Sequence, residues 1–266
     1  MKKQSIPVEF VFQLFALIIA IIVVHAFYVS IVRPNANEFL AQQAIEREAD
    51  PEFVAERSIW VLVKDLEQES CFILMFWALA IMGYKARTIL KERELLEVEL
   101  VPIAEGMRIL PEDTREFARQ VQALPEERQK MLIPRVLLNA LRRFNTTRNI
   151  QDVSASSNTI FESEAERLES ELSMIRYISW AIPSIGFIGT VRGIGEALAR
   201  ADEAVQGNIT GVTQALGVAF NSTFIALLIS IFLMFLVYQL QLLQERLVFD
   251  SQVYVDDKLI RHMKSD

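Results

Sequence analysis

Hydroxyl, amide and small side chains interrupt two strongly apolar segments in the C-terminal half of this 266-residue chain. In chain order, the interrupting residues are Pro183, Gly186, Gly189 and Thr190 in the first segment, and Asn221, Ser222 and Thr223 in the second. Hydrogen-bonding groups are costly within a bilayer unless they face other protein groups or water. The pattern therefore predicts a polar seam between two membrane helices, with an ion path along the seam.

The spacing of these residues places them on defined helix faces. Pro183, Gly186 and Thr190 fall at positions i, i+3 and i+7, which share one face. The second helix has small and hydroxyl residues on one face and bulky ones opposite, as expected when bulk faces lipid. The small, inward-facing set comprises Ala215, Ala219, Ser222, Thr223, Ala226 and Ser230.

Close helix packing is the alternative interpretation of the same spacing. Small residues let membrane helices approach, and hydroxyls can bond to a carbonyl one turn earlier. Three features favour an ion path instead. First, Pro183 lies inside a span and leaves a backbone carbonyl without its usual donor. Second, three polar side chains follow one another from Asn221 to Thr223. Third, the charged Arg192 lies two residues beyond Thr190. For Arg192, pairing with Glu196 one turn later is the simpler role, and gating is the alternative.

Hydropathy predicts an all-α integral membrane protein with four spans. Mean hydropathy is +0.27 and 52% of the residues are hydrophobic, which is high for a soluble protein. The expected divisions are 1–32 (tail and first span), 33–69 (periplasmic helical segment), 70–84 (second span), 85–172 (cytoplasmic helical domain), 173–198 (third span), 199–211 (periplasmic loop), 212–243 (fourth span) and 244–266 (cytoplasmic tail).

Charge predicts the orientation of these spans. Basic residues lie near the inner ends, whereas the 33–69 segment is rich in acidic ones, so both termini are expected in the cytoplasm. The basic residues are Lys2, Lys3, Lys85, Arg87, Lys91, Arg93, Arg176 and Arg246.

The residue types present exclude several classes of function. We find no nucleophile with an acid–base pair, no metal-ligand cluster and no basic block for nucleic acid, so neither an enzyme, a cofactor nor a nucleic-acid partner is predicted. The apolar part of each span also lacks Asp and Glu, although a proton relay normally needs a titratable group. If this chain moves protons, a second polypeptide must supply the carboxylate.

Two stretches, 182–195 and 217–230, closely resemble the MotA/TolQ/ExbB proton-channel family. In this resemblance Thr190 matches the family's Gly-Thr-Val threonine, Ser222 and Thr223 match the second pore hydroxyl, and Pro183 matches the proline of the pore helix. The four-span arrangement is similar to that of the MotA members. The uptake members typically have a glutamate near the position of Gln214, and this chain lacks it. The resemblance therefore does not identify the component that such a motor would drive.

The resemblance implies a stator-like motor subunit of the bacterial inner membrane. It implies a homopentamer around a dimer of a MotB/ExbD/TolR-like single-span protein that carries one intramembrane Asp. Ion flow, with protons favoured over sodium, would then drive rotation or other mechanical work. A sodium-driven version and a non-conducting membrane scaffold stay as alternatives.

Overall fold

The computed structural model describes residues 8–49, 58–103 and 107–264, and the regular elements of this part of the chain are helical. Lys2, Lys3 and residues 50–57 of the expected periplasmic segment lie outside the described residues. The α-helices are α1 (Val8–Phe27), α2 (Arg33–Ala49), α3 (Ile59–Val63), α4 (Leu66–Arg93), α5 (Thr114–Gln122), α6 (Glu126–Gln129), α7 (Leu132–Thr147), α8 (Ile150–Glu171), α9 (Ser173–Ala199), α10 (Ala201–Val205) and α11 (Thr210–Lys258).

The chain divides into two compact units. Unit 1 comprises Met1–Gly83 and Met174–Val237, and unit 2 comprises Tyr84–Ser173 and Tyr238–Asp266. Helices α4 and α11 each contribute residues to both units. The expected apolar spans therefore fall largely in unit 1, and the expected cytoplasmic domain and tail fall largely in unit 2.

Four helical segments are long and apolar enough to cross a membrane, as the hydropathy predicts. They are Val8–Arg47, Leu66–Glu97, Ile150–Ala199 and Thr210–His262. Large apolar side chains on their outer faces remain exposed, which suits contact with lipid because lipid removes the cost of exposing them to water. The prediction of an all-helical, multi-pass membrane protein is confirmed.

Two helices are longer than their apolar segments. The second span was expected at about 70–84, but α4 runs from Leu66 to Arg93 over 28 residues, or about 42 Å, and most of the extra length follows residue 84. Likewise α11 continues to Lys258, well past the expected end of the fourth span at 243. The long helix expected to lead into the third span forms as α8 and α9, with Leu172 between them.

Unit 2 has its own hydrophobic core. Helix α7 buries one face, including Val136, Leu137 and Phe144, against α5 and α8. Val255 near the end of α11 and Leu259 just after that helix complete this core, and both are fully buried. The expected tail is thus a structural part of unit 2.

Helix α8 begins at a well-formed cap. Helix α7 ends where Arg148 adopts a left-handed backbone conformation, with φ of 50°. The Asn149 side chain then accepts hydrogen bonds from the Gln151 and Asp152 amides at 2.9 and 3.3 Å. This capping satisfies two of the free amides at the start of a helix and sets α7 and α8 as a hairpin.

The Tyr254 hydroxyl ties α11 to the loop that follows α4. It donates to the Val98 carbonyl at 2.8 Å and accepts from the Leu100 amide at 3.0 Å. We expect Tyr254→Phe to lower the free energy of unfolding by about 1–3 kcal/mol, because two backbone groups lose their partner. Melting of the detergent-purified chain checks this, with the exposed Tyr238→Phe as the matched control. Equal melting temperatures for the two variants would contradict it.

Candidate ion path between α9 and α11

Three glycines let α9 and α11 pack backbone against backbone. Gly186, Gly189 and Gly193 are all buried on one face of α9. A Cβ at Gly186 would lie 2.5 Å from the Ala226 Cβ, and one at Gly193 would lie 2.7 Å from the Ala215 carbonyl oxygen. No larger side chain fits at such distances, so the glycines determine how closely the two helices approach.

The expected division of α11 into a small face and a bulky face is observed. The small residues Ala215, Ala219, Ser222, Ala226 and Ser230 are buried. Bulky residues on the other side are exposed, for example Phe220, whose exposed fraction is 67%. The face predicted to meet α9 is therefore the one that does so.

Thr190 and Thr223 come together within this seam. Their hydroxyl oxygens are in direct hydrogen-bonding contact. The Thr190 hydroxyl also lies 3.1 Å from the Ala219 carbonyl oxygen, and the Thr223 hydroxyl lies 3.1 Å from the Gly186 carbonyl oxygen. Each hydroxyl has a single proton to donate and two lone pairs, so acceptor capacity remains at this pair for a further donor or a cation.

Ser222 and Asn221 lie apart from the threonine pair. The buried Ser222 hydroxyl donates to the Val218 carbonyl at 2.8 Å and accepts from the Gln68 amide group at 3.4 Å. Asn221 is about 200° around the helix from Ala219 and lines a cavity of about 1160 Å³ instead of the seam. The four residues predicted for the ion path therefore occupy three distinct surroundings.

Pro183 frees a carbonyl that α11 satisfies. A proline has no N–H, so Pro183 cannot bond to the Ser179 carbonyl one turn earlier. The Ser230 hydroxyl donates to that carbonyl at 3.1 Å. The sequence predicted that this carbonyl needs a partner, and the structure identifies it as a serine on the facing helix.

Arg192 forms two ion pairs. Its guanidinium contacts the Glu67 carboxylate through two hydrogen bonds of 2.7 and 2.8 Å, and the Glu196 carboxylate through one of 3.1 Å. The expected pair with Glu196 is present, but the bidentate pair with Glu67 is the stronger type of contact. Arg192 thereby links α9 to the first turn of α4.

The first turn of α4 contacts four other helices through three consecutive residues. Besides Glu67, the fully buried Gln68 reaches Ser222 on α11. Glu69 accepts hydrogen bonds from His25 on α1, at 2.6 Å, and from Arg33 on α2. In the sequence, these carboxylates stand out only as part of an acidic segment. The available signal was two cations, Arg192 and Arg33, close to apolar spans and in need of partners.

Asp65 precedes this turn and lines the 1160 Å³ cavity. One of its carboxylate oxygens is buried and has no hydrogen-bond partner. Burial raises the pKa of the Asp65 carboxyl above its usual range, while Lys64 and Arg192 oppose that effect. The cavity lining thus includes a carboxyl that resists ionisation more than an exposed one.

Gly189 provides a test of the close approach. A Cβ at this residue would lie 2.5 Å from the Ser222 Cβ, whereas one at Gly195 on the same helix would meet nothing within 4 Å. We expect Gly189→Ala to destabilise unit 1 by about 1–3 kcal/mol through overpacking, and Gly195→Ala to have little effect. Melting of the purified chain measures both. A Gly189→Ala variant as stable as Gly195→Ala would contradict the packing described here.

The Pro183–Ser230 pair allows a double-mutant cycle. Ser230→Ala leaves the buried Ser179 carbonyl without its donor, at an expected cost of about 1 kcal/mol. In a Pro183→Ala background the restored N–H can bond to that carbonyl, so the same substitution should cost much less. Unfolding of the four variants measures the coupling energy. Additive effects would show that Ser230 does not compensate for the proline.

Comparison with known proteins supports the resemblance. Residues 128–252 match the model of the MotA/TolQ/ExbB proton channel family. This match includes all of α7, α8 and α9 and most of α11. The search of curated proteins and that of solved structures find no match. The chain is thus a multi-pass membrane protein whose residues 128–252 are similar to the MotA/TolQ/ExbB proton channel family.

Proposed function

We propose that this chain is the ion-conducting subunit of an ion-driven motor complex in the bacterial inner membrane. Five copies surround a dimer of a single-span partner of the MotB/ExbD/TolR kind. Both termini of each copy face the cytoplasm. Protons flow along the seam between α9 and α11, and their flow drives rotation or related mechanical work.

The contact between Thr190 and Thr223 carries this proposal. The glycines and alanines of the seam serve close packing, and Ser222 and Ser230 bond to backbone carbonyls, but these two threonine hydroxyls place oxygen atoms side by side. Hydroxyls can both accept and donate a hydrogen bond, so the pair can accept one from a protonated carboxyl group and donate one to the carboxylate that remains after the proton moves on. Pro183, Gly186 and Gly189 shape the helix that holds Thr190.

A carboxylate from the partner completes the path. Within the described residues of unit 1, the carboxylates of the α4 first turn are engaged with cations: Glu67 with Arg192, and Glu69 with Arg33 and His25. These ion pairs make poor proton carriers because protonating either carboxylate would leave a cation without its partner. An intramembrane Asp of the single-span partner, opposite Thr190 and Thr223, supplies the missing titratable group.

Sodium is the alternative ion. Clustered oxygen atoms suit a hard cation, and the seam presents two hydroxyls together with the nearby Gly186 and Ala219 carbonyls. A non-conducting scaffold is the alternative function. It is favoured by one observation, that each threonine hydroxyl already has a carbonyl to bond with.

Ion flux separates these alternatives. The chain is co-purified with its single-span partner, reconstituted into proteoliposomes and exposed to a proton or a sodium gradient. We expect Thr190→Val and Thr223→Val each to reduce partner-dependent flux at least tenfold, because each removes an oxygen from the path. Thr213→Val is the matched control, since its exposed hydroxyl bonds only to its own and the preceding turn.

The gradient that drives flux identifies the ion. Flux under a proton gradient alone supports the proposal, and flux under a sodium gradient alone supports the sodium alternative. An intact complex in which both valine variants conduct like the wild type would contradict a path at this pair. An intact complex that shows no flux under either gradient would favour the scaffold.

A further inference from the structure

The cavity of about 1160 Å³ in unit 1 runs along the first four turns of α11. Its lining on this helix extends from Gly211 to Phe224, which is about 20 Å, whereas the hydrocarbon of one leaflet is about 15 Å thick. In the membrane, the cavity therefore reaches from the headgroup region into the acyl chains of one leaflet.

The inner part of this cavity is apolar and open to lipid. Phe220 and Phe224 line it, and they are also 67% and 52% exposed on the bulky face of α11. Asn221 is the polar residue between them. Helices α2 and α3 supply the other apolar walls, with Phe39, Leu40, Ile59, Val61 and Leu62. The inner part of the cavity is thus continuous with the lipid-facing surface of the protein.

Two arginines of the lining approach the start of α11, at the other end of the cavity. The Arg47 guanidinium lies 3.4 Å from the Thr210 hydroxyl. A Cβ at Gly211 would lie 2.9 Å from Nη1 of Arg200. The first turn of a helix also has amides without intrahelical partners and a partial positive charge. This end of the cavity therefore favours an anion, and guanidinium groups bind phosphate oxygens particularly well.

The nearest charges leave a positive surplus at the start of α11. Among the described residues, neither Arg47 nor Arg200 forms an ion pair with a carboxylate. The Glu203 carboxylate lies near the same point, since its Oε2 would be 3.3 Å from a Cβ at Gly211. Two cations and one carboxylate leave one positive charge, which matches the single negative charge of a phosphodiester.

The other charged residues of the lining form a separate cluster around Asp65. Arg192 is paired with Glu67 and Glu196. Lys64 acts on Asp65 together with these three groups, whereas Arg47 and Arg200 do not influence its pKa. The positive surplus is therefore confined to the two arginines beside α11.

We propose that this cavity binds a membrane phospholipid. Arg47 and Arg200 hold the headgroup phosphate beside the start of α11, and an acyl chain extends along Phe220 and Phe224. In the orientation proposed above, both arginines lie at the outer ends of the spans, where basic residues are less common, and a lipid phosphate compensates their charge. This inference does not depend on ion conduction.

A phospholipid with a diazirine in its acyl chain tests the site. The full-length chain is loaded with this lipid, washed with lipid-free detergent, irradiated and digested for mass spectrometry. We expect the label on the 218–224 stretch of α11. Exposed Val191 of α9, outside the cavity lining, should carry little label because loosely associated lipid is washed away.

Charge removal tests the contact with the headgroup. We expect Arg47→Gln/Arg200→Gln to reduce the label on 218–224 about tenfold, since each cation contributes to holding the phosphate. The matched control is Arg115→Gln/Arg119→Gln, which removes the same charge from exposed positions of α5. A double variant that keeps the wild-type label would overturn the headgroup contact.

Filling the cavity tests the chain site while both arginines remain. Gly217 lines the cavity, and a Cβ there would meet nothing within 4 Å, so a larger side chain fits without disturbing the helices. We expect Gly217→Leu to displace the lipid and lose most of the label. Gly195→Leu, at an equally open position outside the lining, is the control. Equal labelling of the two variants would overturn the site.

Two further measurements identify the occupant. The phospholipid should raise the melting temperature of lipid-free protein, and inorganic phosphate should not. An equal rise with inorganic phosphate would assign the site to a soluble anion and overturn the lipid proposal. The complex with the single-span partner should keep the label on 218–224, and its loss there would assign the cavity to that partner. Ion flux is a separate measurement, so either proposal can fail without the other.

Discussion

The arrangement of unit 1 depends on the close approach of α9 to α11. Lipid offers membrane helices no hydrophobic gain from associating, so their contact relies on van der Waals packing and hydrogen bonds at short range. Because Gly186, Gly189 and Gly193 have no side chains, the backbones of α9 and α11 can come this close. Only at this distance can the Thr190 and Thr223 hydroxyls touch, and only at this distance can Ser230 reach the carbonyl that the proline leaves free.

The first turn of α4 holds this pair in place. Glu67 forms an ion pair with Arg192, two residues beyond Thr190. Gln68 donates a hydrogen bond to Ser222, and Glu69 accepts hydrogen bonds from residues of α1 and α2. Polar groups buried at a helix end need partners, so three neighbouring side chains with partners on four different helices fix the position of α4 strongly. The geometry of the seam is thus maintained from one end by charge pairs and along its length by small residues.

The sequence predicted the seam well because its signal is local. Helical periodicity alone places Gly186 and Thr190 on one face of α9, and the small and bulky faces of α11 on opposite sides. It missed Glu67 as the main partner of Arg192 because 125 positions separate the two, and no periodicity encodes a contact between distant helices. The sequence did not predict the packing of Val255 and Leu259 into the core of unit 2, for the same reason.

Access of small cations to the seam is the most direct test of the central claim, that Thr190 and Thr223 lie on an ion path. In a Cys71→Ala background, Thr190→Cys and the lipid-facing Phe187→Cys are exposed to Ag⁺ in the intact complex, then denatured and labelled with a fluorescent maleimide. The account predicts that Ag⁺ protects position 190 from labelling far more than position 187. Equal protection at the two positions, or none at 190, would contradict it.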